Sequence, residues 1–318
     1  MQFMLSDILN NILSKITIEK NINEDIIHVS ESLNLILSNL YCYDKIKYLI
    51  ENKGKHLRTI LALYYFYKYK SSNSYNVYDL YKILAIVEIT HFASLLHDDV
   101  LDNSKTRRFE NSLNYLYGNK NSILIGDYLL INSFNRLIKI INNKYYGKYI
   151  VDQFIKASSD TAYGAYLENK QTDINKYNMD DYIKIAKLKT GSLFKFSCIS
   201  GCILSNIDFD NVKQAANFGL IFGIIYQIQN DFDDYKCNNY EESEDYMQSN
   251  ITFPIIMIQN FTNISKTFYK KNQNNFDKIK TLINTIESNK KLNNIIKKYL
   301  MFIKNIFTLL LIYIFLHI

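Results

Sequence analysis

Proline occurs once in the 318 residues and glycine only nine times. All-β folds spend both residues on their many turns, so this scarcity argues for long uninterrupted helices instead. Tryptophan is absent, and the 27 tyrosines, with abundant Asn and Lys, reflect compositional bias rather than function. The four cysteines, Cys42, Cys198, Cys202 and Cys237, show no paired spacing of the zinc type. Cys198 and Cys202 fall on one helical face, where two small apolar core residues are the simpler reading than a metal site. Free thiols suit a reducing compartment, so the chain is expected inside the cell, in the cytoplasm or an organelle. No basic tail exists either: the net charge of +6 is modest and dispersed. That balance is compatible with anionic ligands and gives nucleic acid little support.

Further absences bound the architecture. No internal repeat and no Pro- or Ser-rich linker marks a domain boundary, so residues 1–318 read as one all-helical domain. The first twenty residues lack the basic start, apolar run and cleavage site of a signal peptide, and read as an opening amphipathic helix. From Ile306 to Ile318 the chain is almost wholly apolar, yet shorter than the roughly 20 residues that span a bilayer. A buried last helix, a tail that touches a membrane and an error in the gene sequence all remain open for it.

Apolar residues recur at helical spacing through most of the chain. One run, from Leu84 through Ile86, Val87, Ile89, Phe92, Ala93, Leu95 and Leu96, leads straight into His97-Asp98-Asp99. A second, Phe218 to Ile228, leads into Asn230-Asp231. Both are too apolar for surface helices and are expected at the centre, with polar breaks at Ser71–Tyr75, Asn142–Tyr145 and the acidic stretch Asn238–Asp245.

Polar clusters therefore close two buried helices. Asp98 and Asp102 lie one turn apart on one face, and two carboxylates so placed repel unless a cation lies between them. Oxygen donors of this kind suit Mg²⁺, which completes its shell with water and phosphate. A solvated acidic helix end is the plainer alternative, but Arg107-Arg108 follows, and guanidinium forks match phosphate oxygens. The second cluster, Gln227 to Asp234, again sets acids at helical spacing. Lys55 and Arg58, in Gly54-Lys55-His56-Leu57-Arg58, are expected on one helical face. Lys189-Thr190-Gly191 ends an amphipathic stretch where Gly lets a helix bend.

In this order the motifs resemble those of the trans-isoprenyl diphosphate synthases, over about Leu35 to Pro254. Ala93 to Asp102 with Arg107-Arg108 is similar to that family's first aspartate-rich motif. Gly126-Asp127-Tyr128-Leu129-Leu130, Lys189-Thr190-Gly191-Ser192-Leu193 and Gly223 with Tyr226-Gln227 match further signatures. The resemblance implies a single-domain bundle of long helices around a deep cavity, and condensation of isopentenyl diphosphate with an allylic diphosphate. It implies about three Mg²⁺ ions held by Asp98, Asp102, Asp231 and Asp234. Asp98, Asp102, Lys189 and Gln227 would be catalytic. Arg107, Lys189, Thr190 and Gln227 would steady the allylic diphosphate, and Lys55, Arg58, His91 and Arg108 the diphosphate of isopentenyl diphosphate. Ser94 and Ala93, small where bulky aromatics stop product growth, imply a product longer than farnesyl. A dimer is implied too, with itself or with a related subunit.

The chain departs from the family pattern on one side. Asn230 stands where Asp is expected, with Asp233 as an extra acid; Ser249-Asn250 replaces Gly-Lys, with Lys236 nearby. These losses keep a second reading open, a non-catalytic or regulatory subunit of a heteromeric synthase. A terpene cyclase would need Ser or Thr at 234 and Glu at 238, where Asp234 and Asn238 stand.

Overall fold

The computed structural model describes residues 22–51, 54–72, 74–107, 110–171, 177–235, 251–253 and 256, with backbone alone for 48–51 and 232–235. The expected opening helix, the apolar tail 306–318, the acidic stretch 238–245, Lys236, Ser249-Asn250, Arg108 and the side chains of Asp233 and Asp234 lie outside the described residues.

The described chain is helical apart from one two-stranded hairpin. In order come α1 (Ile22–Ser38), α2 (Tyr43–Glu51), α3 (Leu57–Tyr69) and α4 (Val77–Leu101). The hairpin pairs β1 (Thr106–Arg107) with β2 (Glu110–Asn111). Then follow α5 (Leu113–Tyr117), α6 (Asn119–Ile141), α7 (Gly147–Asn169) and α8 (Met179–Ala186). A π-helical turn over Lys187–Gly191 joins α8 to α9 (Ser192–Leu204), and α10 runs Phe209–Tyr235.

Local chemistry sets the boundaries. The Asn76 side chain accepts the Tyr78 N–H at 2.9 Å and starts α4. Asn178 and Asp181 form a reciprocal capping box at the start of α8. Gly118, at φ 85°, turns the chain between α5 and α6 in a conformation that a side chain would disfavour. The polar breaks at Ser71–Tyr75 and Asn142–Tyr145 fall between helices, as their composition implies.

The core gathers around α4 and α9. On α9 every residue except Lys195 is buried, including Cys198 and Cys202 as free thiols. Its hydroxyls are satisfied within the helix: Ser197 donates to the Leu193 carbonyl and Ser200 to that of Phe196, each at 2.9 Å. Helix α4 lies against α1, α6 and α9 and buries Leu80, Ile83, Leu84, Ile86, Val87 and Ile89. Each such side chain contributes about 1.5–3 kcal/mol of transfer free energy. Among the described residues α4 alone is long and apolar enough to cross a membrane, but 72% of its apolar window is buried within the protein, as in a core helix.

Close helix crossings depend on glycine. A Cβ at Gly201 of α9 would lie 2.1 Å from the Ala62 carbonyl oxygen of α3. At Gly164 of α7 it would lie 2.4 Å from the Lys189 backbone nitrogen, and at Gly223 of α10, 2.6 Å from Gly191 Cα. The π-helical turn is thus gripped from both sides by backbone, and this is what sets the position of Lys189 and Thr190.

Candidate active site

The C-terminal half of α4 opens onto a cavity of about 290 Å³. Its polar lining comprises Arg58, His91, Asp98, Asp102, Arg107 and Lys189, with Thr190, Gln227 and Asn230. Its apolar wall includes Ala93, Leu130, Ala162, Ala165 and Leu193. Asp102 caps α4, its N–H bonded to the Asp98 carbonyl at 2.8 Å, so both carboxylates project to one side. Asp99, one residue round the helix, points the other way and is 1% exposed.

Asp99 holds the hairpin. Arg107 donates to its Oδ1 through Nε at 2.7 Å and through Nη2 as well, and Asn114 donates to its backbone carbonyl at 3.1 Å. The Arg107 guanidinium, which borders the cavity, is therefore itself fixed by Asp99 through Nε and Nη2.

Lys189 is paired with Glu168 and lies 3.9 Å from Asp98. Burial works to lower its pKa, but Glu168 first and Asp98 next raise it further, so the ammonium stays charged. Asp102 is pushed up to about 7, chiefly by burial, with Lys189 opposing and Asp98 adding to the rise. Nearby, Thr190 Oγ1 donates to Gln227 Oε1 at 2.7 Å, and Gln227 Nε2 donates to Asp231 Oδ1 at 2.9 Å. Asp231 Oδ2 accepts from the Tyr182 hydroxyl at 2.7 Å and the Phe253 N–H at 2.9 Å. A smaller pocket of about 90 Å³ adjoins the cavity; Asp102, Lys189 and Gln227 border both, and Tyr182, Asp231 and Thr252 close it.

Most of the residues singled out from sequence thus meet in one place. Two do not. Lys55 and Arg58 were expected on one helical face, but His56 adopts a left-handed conformation at φ 50°, α3 begins after it, and Lys55 lies exposed in irregular chain and is not part of the cavity lining. Arg58 alone faces inward, its guanidinium 4.6 Å from the Phe194 ring centroid. Asp231 is 4% exposed and lines the smaller pocket rather than the cavity, with its oxygens taken up in hydrogen bonds. Sequence reasoning also overlooked Glu168, which looks like a solvated acid near the end of α7. It overlooked His97 as a cavity residue; its ring lies 3.2 Å from Asp127 and is the group a side chain at Gly126 would strike.

The profile of one family, Polyprenyl synthetase, matches residues 39–286. The chain belongs to that family. Among its relatives is the decaprenyl-diphosphate synthase of Dictyostelium discoideum, 32% identical over 273 residues that make up 84% of this chain and 57% of the relative. The hexaprenyl pyrophosphate synthase of Saccharolobus solfataricus is 36% identical over 156 residues, 49% of this chain and 51% of that one. The chain thus spans 57% of the length of the first relative and 51% of the second. Among solved structures, a decaprenyl diphosphate synthase from Rhodobacter capsulatus superposes with a TM-score of 0.72 at 24% identity, covering 95% of this chain and 98% of that one. A polyprenyl synthase from Caulobacter crescentus, solved with calcium and isoprenyl diphosphate, gives 0.71 at 21% identity, covering 90% and 88%. At those identities the likeness speaks for the fold, and this chain shares their all-α architecture.

Proposed function

We propose that the protein is a prenyltransferase that condenses isopentenyl diphosphate with an allylic diphosphate into a polyprenyl diphosphate longer than farnesyl. The observation that carries this is the cavity: it is lined by two carboxylates one helical turn apart, by three cationic side chains, and by apolar residues with nothing bulky at Ala93 and Ser94. The relatives named as long-chain synthases support the same reading.

The donor set fits Mg²⁺. Asp98 and Asp102 share one face, and burial lifts Asp102 toward neutrality unless a stronger positive charge arrives. Among the described residues no three His, Cys, Asp or Glu gather into a complete metal cage, which suits a cation that draws further oxygens from water and diphosphate. Asp98 and Asp102 would hold Mg²⁺, which would supply charge neutralisation for the leaving group. About three ions follow from the resemblance; the described residues provide for those on the α4 side.

The chain's own groups do the rest. Lys189 and Arg107 hold the departing diphosphate as negative charge develops on it, in a site whose low dielectric strengthens them. The amide N–H of Gln227 that Asp231 does not take orients it by a hydrogen bond, and Thr190 holds that amide through its oxygen. Arg58 and His91 grip the isopentenyl diphosphate. The apolar wall shields the allylic cation from water until the alkene attacks, and the proton then lost passes to the departed diphosphate. The growing chain extends past Ala93 and Ser94.

A second reading, a supporting subunit, draws on Asn230, an amide at the cavity edge where the family pattern has an acid. A partner of either kind has a surface to meet. Leu124, Ile131 and Ile138 recur every seven residues along α6 and are 65%, 67% and 53% exposed. The Schizosaccharomyces pombe relative is named as subunit 1 of a decaprenyl-diphosphate synthase.

Purified protein incubated with labelled isopentenyl diphosphate, Mg²⁺ and each allylic diphosphate from dimethylallyl to geranylgeranyl tests the proposal. The expected result is a ladder of products beyond farnesyl, lost in Asp98→Ala. Folded protein that makes nothing with any starter refutes catalysis and leaves the subunit reading. Equal activity in Asp98→Ala refutes the mechanism.

A further inference from the structure

Asp231 occupies the second acidic cluster, yet its geometry is that of a fastening. Helical neighbours point about 100° apart, so Asn230 lines the larger cavity while Asp231, at 4% exposure, turns to the smaller pocket beside it. There, among the described residues, its two oxygens take neutral donors from separate parts of the chain, including Gln227 on α10, Tyr182 on α8 and the backbone N–H of Phe253. Tyr182 and Phe253 also meet edge to face at 5.4 Å, inside a small core with Tyr177, Ile185, Ile228 and Ile256. From Gln227 the hydrogen bonds continue to Thr190, on the cavity wall.

We infer that Asp231 is a positioning residue rather than a metal ligand: it holds Gln227 and Thr190 in the orientation that faces the allylic diphosphate, and fixes residues 251–253 against α8 and α10. Gln227 can turn either its oxygen or its nitrogen toward Thr190. With Asp231 accepting from Nε2, only the oxygen is left for the threonine hydroxyl. The direction of the whole chain of hydrogen bonds is therefore dictated from its buried end. Among the described residues, the carboxylates then left to hold a metal at this site are Asp98 and Asp102 on the α4 side. The substrate-facing part of this inference rests on the function proposed above, while the fastening itself does not.

Wild type, Asp231→Asn and Asp231→Ala separate the two roles. Asparagine keeps one oxygen for Tyr182 and Phe253. Its NH₂ can donate to Gln227 once that amide flips, and Gln227 then donates to Thr190 Oγ1. The network survives with its polarity reversed, whereas a carboxylate ligand does not survive. Melting without divalent metal should shift by about 2 °C or less for Asn and fall by about 4–8 °C for Ala. Mn²⁺ binding in the presence of inorganic diphosphate, read by electron paramagnetic resonance, should stay within about twofold of wild type in the Asn variant. In the condensation assay Ala should raise KM for the allylic substrate about tenfold, about the loss of one net hydrogen bond to a charged group, and Asn should restore most of it. A tenfold or greater loss of Mn²⁺ affinity in Asp231→Asn, with melting unchanged, would overturn the inference and make Asp231 a ligand. Asn melting as low as Ala would overturn it too, because the charge and not the hydrogen bonds would then matter. Melting and Mn²⁺ binding need no turnover, so protein that makes no prenyl product still decides the role of Asp231.

Discussion

Replacing Gly164 by alanine should impair turnover far more than it impairs folding. The added methyl would lie 2.4 Å from the Lys189 nitrogen, 2.8 Å from its Cα and 2.9 Å from its Cβ. Carbon contacts relax at about 3.5–4.0 Å, so α7 and the π-helical turn must part by roughly 1 Å. Overpacking of this kind costs about 1–3 kcal/mol. Alanine in mid-helix returns about 1 kcal/mol relative to glycine. The net loss of stability is about 0–2 kcal/mol, a fall in Tm of no more than about 8 °C. The displaced groups, however, are Lys189 and Thr190, and a misplacement of about 1 Å at a reacting centre can lower the rate about 100-fold. Steady-state condensation kinetics beside thermal denaturation measure the two effects. Tyr163→Ala, one residue away on the exposed side of α7, serves as the control with neither effect. A Gly164→Ala protein with unchanged kcat/KM and a raised Tm would refute the reasoning, because helix propensity would then act unopposed and the turn would not be gripped.

Other perturbations read other parts of the structure. Gly201→Ala places a methyl 2.1 Å from the Ala62 carbonyl oxygen, backbone against backbone; it should lower stability by about 2–3 kcal/mol in denaturant titrations. Ser94→Phe puts a ring into the cavity wall and should shift the product ladder toward shorter chains on reversed-phase chromatography. Asn230→Asp should leave condensation unchanged or raise it; a large loss would show a site rebuilt around the amide.

The apolar runs announced α4 and α10 because such runs can be stable only when covered on every side, and covered helices form the centre. The pairing of Asp98 with Asp102 was legible for an equally local reason: four residues along a helix is one turn. What escaped depends on distant chain. The break between Lys55 and Arg58 comes from a left-handed residue, His56, whose composition gives no hint of it. The π-helical turn inserts a residue where Gly164 and Gly223 press on it from helices on either side in sequence, and apolar periodicity carries no trace of that. Asp231 reads as one acid in an acidic cluster until residues 251–253 return beside it. Glu168 gains its meaning only from Lys189, 21 residues later.

Helix α4 has a consequence for how the protein comes into being. Its covering helices α6 and α9 follow it in the chain, the later one ending at Leu204. Synthesis at about 5–20 residues per second leaves α4 without its full cover for about 5–20 s. Throughout that interval the ribosome presents a 25-residue helix with the length and composition of an inserting segment. Until its own sequence arrives, that helix offers an apolar surface to whatever it meets. A truncated product ending before α9 would expose that helix permanently, and its fate would be aggregation or capture at a membrane.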